Sequence, residues 1–173
     1  SIGPAKLTVR RDSGGLYRIF SIPAKNLNIT ITGLTISEGH SIGLDGGGGI
    51  YSRSSLHLTN CIVSNNNAED GGGISLEANG LFTGCTIINN TATEEGGGMD
   101  FSGFIGGSAT LTLVNVTVSG NLVTDYGASG ISVGTVVATS KLEVINCTIV
   151  NNSSLSTFGD GAIRTLGDDT TTV

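Results

Sequence analysis

The sequence predicts an all-β chain wound as a parallel solenoid, and three observations carry that prediction. A block of about eleven residues recurs five times, its apolar residues alternate within each copy, and an acid followed by a glycine run stands between copies. Self-similarity at a fixed period is the signature of stacked structural repeats, each too small to bury its own apolar face.

The repeated block reads "ITITGLTISEG" from Ile29, "LHLTNCIVSNN" from Leu56, "LFTGCTIINN" from Leu81, "LTLVNVTVSGN" from Leu111 and "LEVINCTIVNN" from Leu142. Leu34, Cys61, Cys85, Val116 and Cys147 fall in one column, at steps of 27, 24, 31 and 31 residues. Leu111 and Leu113, then Val116 and Val118, show the period of a half-buried strand. The phase breaks once, at Gly33, Asn60, Gly84, Asn115 and Asn146, residue types that tolerate a left-handed backbone. This column is read as a corner between two strands. A second corner is expected at Asn66, Asn90, Asn121 and Asn152, with side chains hydrogen-bonded along the column.

The glycine blocks "DGGGGIYS" from Asp45, "EDGGGISL" from Glu69 and "EEGGGMDF" from Glu94 then turn the chain into a third strand. That strand carries Ile50, Ile74, Met99, Ile131 and Ile163 inward. The glycines fit a tight corner in which a Cβ would strike the neighbouring coils. They do not fit a phosphate-cradling loop, because no Gly-Lys-Ser/Thr follows and a flanking carboxylate repels phosphate. Length variation falls after Met99 and after Ile131, where loops or lengthened strands are expected. Before the first clear copy, Leu7 and Val9 match the Leu56 and Leu58 columns as a degenerate coil. The expected architecture is one segment over residues 1–173, with three short strands per coil and about six coils, drawn from a longer chain.

On these residues the chain resembles the right-handed parallel β-helix repeats of bacterial surface proteins, the polymorphic outer-membrane protein type. That family pairs a Gly-Gly-Ala-Ile-like motif with Phe-x-x-Asn. The first is matched by "GGGI" ending at Ile50 and Ile74, "GGGM" ending at Met99 and "DGAI" ending at Ile163. The second appears as Val63-x-x-Asn66, Ile87-x-x-Asn90, Val118-x-x-Asn121 and Ile149-x-x-Asn152, with an aliphatic residue in place of Phe. The resemblance implies a right-handed coil, an extracellular or cell-surface location, and a role as adhesin, passenger or stalk without catalytic residues.

Composition narrows the functional classes. A net charge of −6 with eight Lys and Arg supplies no basic stripe for nucleic acid and no polybasic patch for anionic lipid. No apolar run reaches the length of a membrane span. Cys61, Cys85 and Cys147 are read as buried free thiols. Stacked parallel side chains suit the disulfide dihedral poorly, and His40 and His57 lie outside their column, which leaves no zinc set.

The acids ahead of the glycine corners are the sharpest polar feature. Asp45, Glu69, Asp70, Glu94 and Glu95 are the calcium candidates, as hard oxygen ligands on successive coils, with Asp125 and Asp160 in later copies. They also make sense as a solvated ridge, so no cofactor is expected, calcium being the one ion the pattern admits. Thr35, Thr86, Thr117 and Thr148 form an outward column that β-propensity explains. The Asn115 and Asn146 sequons coincide with the corner column. "GDD" at Asp168 and Asp169 has a passing likeness to a hydrolase motif, and Arg53 and Arg164, beyond the glycine-corner aliphatics, read as solvated.

The expected function is therefore non-catalytic: a structural or adhesive segment whose partners are neighbouring coils, other parts of a long chain, and a host-surface or glycan ligand. Two alternatives stand beside it, a carbohydrate-active or carbohydrate-binding β-helix and a self-assembling extracellular filament subunit. Acids together with an Arg or Lys and an aromatic on one outward sheet face would favour the carbohydrate reading. A smooth polar face would favour the rod.

Overall fold

A computed structural model describes residues 7–43, 46–102, 108–134, 139–156, 159–165 and 170–172, and all of their regular structure is β. Three six-stranded parallel sheets run the length of the molecule, one strand per turn. The leucine sheet holds Asn28–Thr32, Ser55–Thr59, Gly80–Thr83, Ser108–Val114, Thr139–Ile145 and Thr170–Thr172. The cysteine sheet holds Leu7–Arg10, Leu34–Ser37, Ile62–Ser64, Thr86–Ile88, Thr117–Ser119 and Thr148–Val150. The isoleucine sheet holds Phe20–Ile22, Ile50–Ser52, Ile74–Leu76, Met99–Phe101, Ile131–Val133 and Ile163–Thr165. The result is a right-handed parallel β-helix of five full turns with partial turns at either end.

Both predicted corners form, with one refinement. Gly33, Asn60, Gly84, Asn115 and Asn146 all have left-handed backbones, with φ between 51° and 68°. At the second corner the left-handed residues are Glu38, Asn65, Asn89, Gly120 and Asn151, one position earlier than the ladder. The freed side chains of Asn66, Asn90 and Asn121 sink into the interior. Each Nδ2 donates to the Oδ1 of the next turn's asparagine, at 2.9, 3.1 and 2.8 Å, the last onto Asn152. The same oxygens accept the backbone N–H of the turn before, at 3.0 Å each. A second Nδ2 proton goes to the carbonyls of Ile36, Val63 and Ile87. These buried amides are therefore almost fully satisfied, which burial demands.

Three departures from the sequence reading are physical, while the variable stretches behave as expected. A fourth ladder of two-residue strands, Asn67–Ala68, Thr91–Ala92, Leu122–Val123 and Ser153–Ser154, lies between the asparagine corner and the glycine block. Leu7 and Val9 pair with Leu34 and Ile36 in the cysteine sheet, not with the Leu56 and Leu58 columns. In the third copy Gly80, not Leu81, takes the inward place opposite Leu56; Leu81 faces solvent and Phe82 is buried. A Cβ on Gly80 would lie 2.5 Å from Leu111 Cδ1, so the neighbouring leucines fill that space. The variable stretches lengthen strands, giving Ser108–Val114 and Thr139–Ile145 seven residues each, while 103–107 and 135–138 lie outside the described residues.

The core is a column of aliphatics from all three sheets, including Ile36, Ile50, Leu56, Val63, Ile74, Ile87, Leu111, Val118 and Ile131, with Phe82 and Phe101 as its largest members. Cys61, Cys85 and Cys147 are free, the first two buried. The hydrogen bond between Cys85 and Cys61, together with burial, pushes the Cys85 thiol up.

Candidate functional site

Because strands alternate, the residue after each inward aliphatic of the isoleucine sheet points out. Register stacks those residues in one column: Tyr51, Ser75, Asp100, Ser132 and Arg164. Successive members lie about 4.8 Å apart, the strand spacing. No other outward column of the molecule unites an acid, a base and an aromatic among the described residues. The column forms a trough rather than a ridge, since Tyr51, Ser75 and Ser132 are only 4%, 5% and 1% exposed.

One wall is the glycine corner. A Cβ on Gly72 would lie 2.3 Å from Thr91 O and 2.5 Å from Gly97 O, two backbone carbonyls of the next turn, so only glycine lets the turns close up there. This tight stacking brings the corner acids together. Asp70 Oδ1 accepts the Glu95 N–H at 3.0 Å. Glu95 accepts from Ser132 Oγ at 2.9 Å and pairs with Arg164. Glu94 accepts from the Tyr126 hydroxyl, which is thereby pushed up to about 12.

The other wall is built from Arg53 and Glu77, just past their strands, while Arg18 reaches in from the glycine-corner side, where Ile19 N donates to Gly48 O. Arg18 lies over the Tyr51 ring at 4.8 Å, a cation–π contact, and donates to Ser41 Oγ at 2.8 Å. Glu77 accepts from Tyr51 Oη at 2.9 Å and from Arg53 Nε at 3.1 Å. Beyond this wall opens a cleft of about 310 Å³ lined by Lys25, Asn26, Arg53, Ser54, Glu77 and Asn79, among others.

Asp100 sits at the centre. Burial, then the charges of Asp70 and Glu95, and more weakly Glu77, raise its carboxyl to about 8, with a Ser102 hydrogen bond opposing. Burial likewise raises Asp70, with Glu94, Glu69 and Glu95 adding repulsion. Burial thus favours the protonated form of Asp100, which puts a carboxyl donor among the acceptors of the trough, an arrangement suited to hydroxyl-rich ligands.

Of the calcium candidates, Glu69, Asp70, Glu94 and Glu95 stack on adjacent turns of the corner. Asp45 lies outside the described residues, as do Asp168 and Asp169, and the Asp160 side chain is not described. Asp125 is exposed. Among the described residues no three of His, Cys, Asp and Glu group closely enough to hold a metal ion. Arg53 and Arg164 are not free solvated cations as expected, since both are part-buried and ion-paired. Asp100, Glu77 and Tyr126 were not singled out by the sequence. The signal for Asp100 was available, as the one acid in the column that follows Ile50, Ile74, Met99, Ile131 and Ile163.

In comparison with known proteins, residues 19–173 fit the family model described as "Right handed beta helix region". No curated protein and no solved structure matches the chain.

Proposed function

Because the chain belongs to the right-handed β-helix family, its outward sheet faces are long, regular surfaces, and we propose that the isoleucine-sheet face binds carbohydrate. The observation that carries this reading is the single column in which Asp100 and Arg164 share a face with Tyr51, flanked by Glu95, Glu77 and Tyr126. A polysaccharide presents alternating hydroxyls and flat C–H faces. Carboxylates and a guanidinium answer the hydroxyls, and an exposed tyrosine ring such as Tyr126, 42% exposed, answers a sugar face. Binding rather than cleavage is the proposed role, in an extracellular or cell-surface setting.

Affinity electrophoresis against a panel of soluble polysaccharides tests it. The wild type is expected to be retarded by at least one glycan, and Tyr126→Ala to lose most of that retardation. A wild type that no polysaccharide retards would remove the reading. Release of new reducing ends in the same gels would turn the binding face into a catalytic one.

The uninterrupted asparagine ladder supports a second role for the same molecule, as a rigid stalk or passenger segment. Single-molecule pulling would then show high resistance with turn-by-turn release. A single low-force unfolding event would count against it.

A further inference from the structure

We infer that a second copy of this chain stacks head to tail on the first, its N-terminal turn seated on the C-terminal turn, so that the helix continues across the junction. Three observations carry it, and none depends on the carbohydrate reading.

The first is an uncovered apolar column at each end. In the middle turns the inward residues Ile87, Val118 and Ile131 are 0% exposed. In the last turn their counterparts Ile149 and Ile163, with Cys147, are only partly buried. In the first turn Leu7 is 60% exposed, and Val9 and Phe20 are half-buried. Carrying the observed register one step further sets Leu7, Val9 and Phe20 of a second copy over Cys147, Ile149 and Ile163, with Leu7–Arg10 as the next strand beside Thr148–Val150. Both strands lie at the edges of their sheet, where unpaired N–H and C=O groups accept such a neighbour.

Charge is the second observation, and it decides the polarity. Residues 1–25 hold five of the chain's eight Lys and Arg and a single acid, a net +4, whereas the other residues hold three cations and thirteen acids, a net −10. The last 27 residues carry three acids and one cation, Arg164, which is already paired with Glu95. Two N-terminal ends therefore repel each other, while a positive end attracts a negative one.

The third is the asparagine ladder. Asn66, Asn90 and Asn121 each donate N–H and Nδ2 to the Oδ1 one turn on. Asn152 accepts from Asn121 and gives one Nδ2 proton to the Val118 carbonyl, but its N–H and second Nδ2 proton find no acceptor among the described residues. Asp12 follows Arg10 by two residues, as Asn152 follows Val150, so it holds the ladder position of the first turn. Its exposed carboxylate accepts from Tyr17 Oη at 2.8 Å and from Gly14 N at 3.2 Å, which leaves acceptor capacity for the donors of Asn152. Such a contact joins two different faces and does not close, so it grows into filaments.

Sedimentation velocity of the whole chain over a concentration series tests the proposal. The wild type is expected to form linear oligomers, with association at least about tenfold weaker in about 0.5 M than in about 0.05 M salt, because the attraction between the ends is screened. Val150→Arg sets a guanidinium against Arg10 of the second copy and is expected to weaken association about tenfold, and Arg10→Glu in the same chain to restore it. A defect of folding alone would not be rescued in this way. Val9→Asp and Ile149→Asp are each expected to stay monomeric and, when mixed, to give a dimer that grows no further, with far-UV dichroism confirming that each is folded. Should Ile149→Asp fail to fold, the Val150→Arg and Arg10→Glu pair still decides. A wild type that remains monomeric at every concentration would overturn the proposal and leave the end faces to further turns or to a different protein. Dimers of Val9→Asp alone would overturn the head-to-tail arrangement, as would a double variant that does not associate.

Discussion

Single residues divide their work more finely than the repeat suggests. In each "NN" pair at the second corner the first asparagine takes the left-handed backbone and the second buries its amide. Asn90→Ala would take from Asn66 N and from one proton of Asn66 Nδ2 their shared acceptor, and from the Val63 carbonyl its side-chain donor, and is expected to destabilise by about 3 kcal/mol. Chemical denaturation would measure it, and Asn115→Ala, on the exposed corner, is the milder comparison. Asp100 yields a prediction with a defined sign. Its folded value of about 8 lies above the unfolded value of about 4. The raised value means that the native state ionises it reluctantly, so stability declines as pH climbs from about 4 towards 8 and stays lower above that. Asp70, Glu77 and Glu95 supply the repulsion, Ser102 opposes it, and Arg164 neutralises Glu95. Discounted for partial solvent access, Asp100→Asn should gain about 2 kcal/mol at pH 9 and little at pH 4. A gain that did not depend on pH would contradict this account. The ladder was legible in the sequence because four asparagines recur in phase. Asp100 was not, because its column changes residue type at every turn and its meaning arises only when the turns are stacked.

At the scale of the element, what could be read depended on how many inward residues a strand contributes. The three main strands alternate over several residues and announced themselves. The two-residue strands such as Thr91–Ala92 bury one side chain each, too little to make a periodic signal. Leu7–Arg10 was placed in the wrong sheet because "LTV" alternates equally well in either register, and only pairing with Leu34–Ser37 decides between them. The glycine corner was read correctly as a steric requirement, and it makes a sharp test. Gly72→Ala puts a methyl into two carbonyls of the next turn and is expected to cost more than about 3 kcal/mol or to prevent folding. Gly14→Ala, whose Cβ would lie 3.5 Å from a side-chain oxygen, should change stability by less than about 0.5 kcal/mol. Comparable melting midpoints for the two variants would show that the corner relaxes, contrary to the geometry.

The whole molecule is held by nearest-neighbour contacts, with each turn pairing only with the turns before and after it. Neither cross-links nor a metal cluster is found among the described residues, so the thermal midpoint is expected to be unmoved by reductant and by chelator. A chelator-induced drop of several degrees would instead make Glu69, Asp70, Glu94 and Glu95 a calcium site. The asparagine ladder also carries a rule about growth. Its amides all point the same way along the axis, each donating forward and accepting from behind, so the chain is directional like a zip. Such a chain tolerates copying or deletion of one complete turn, for example Cys61 through Gly84, because every donor then meets an equivalent acceptor about 4.8 Å further along. A fraction of a turn would strand an amide and rotate the carbohydrate face out of line. The molecule can therefore change length only in whole steps, and each step carries one more residue of the binding column with it.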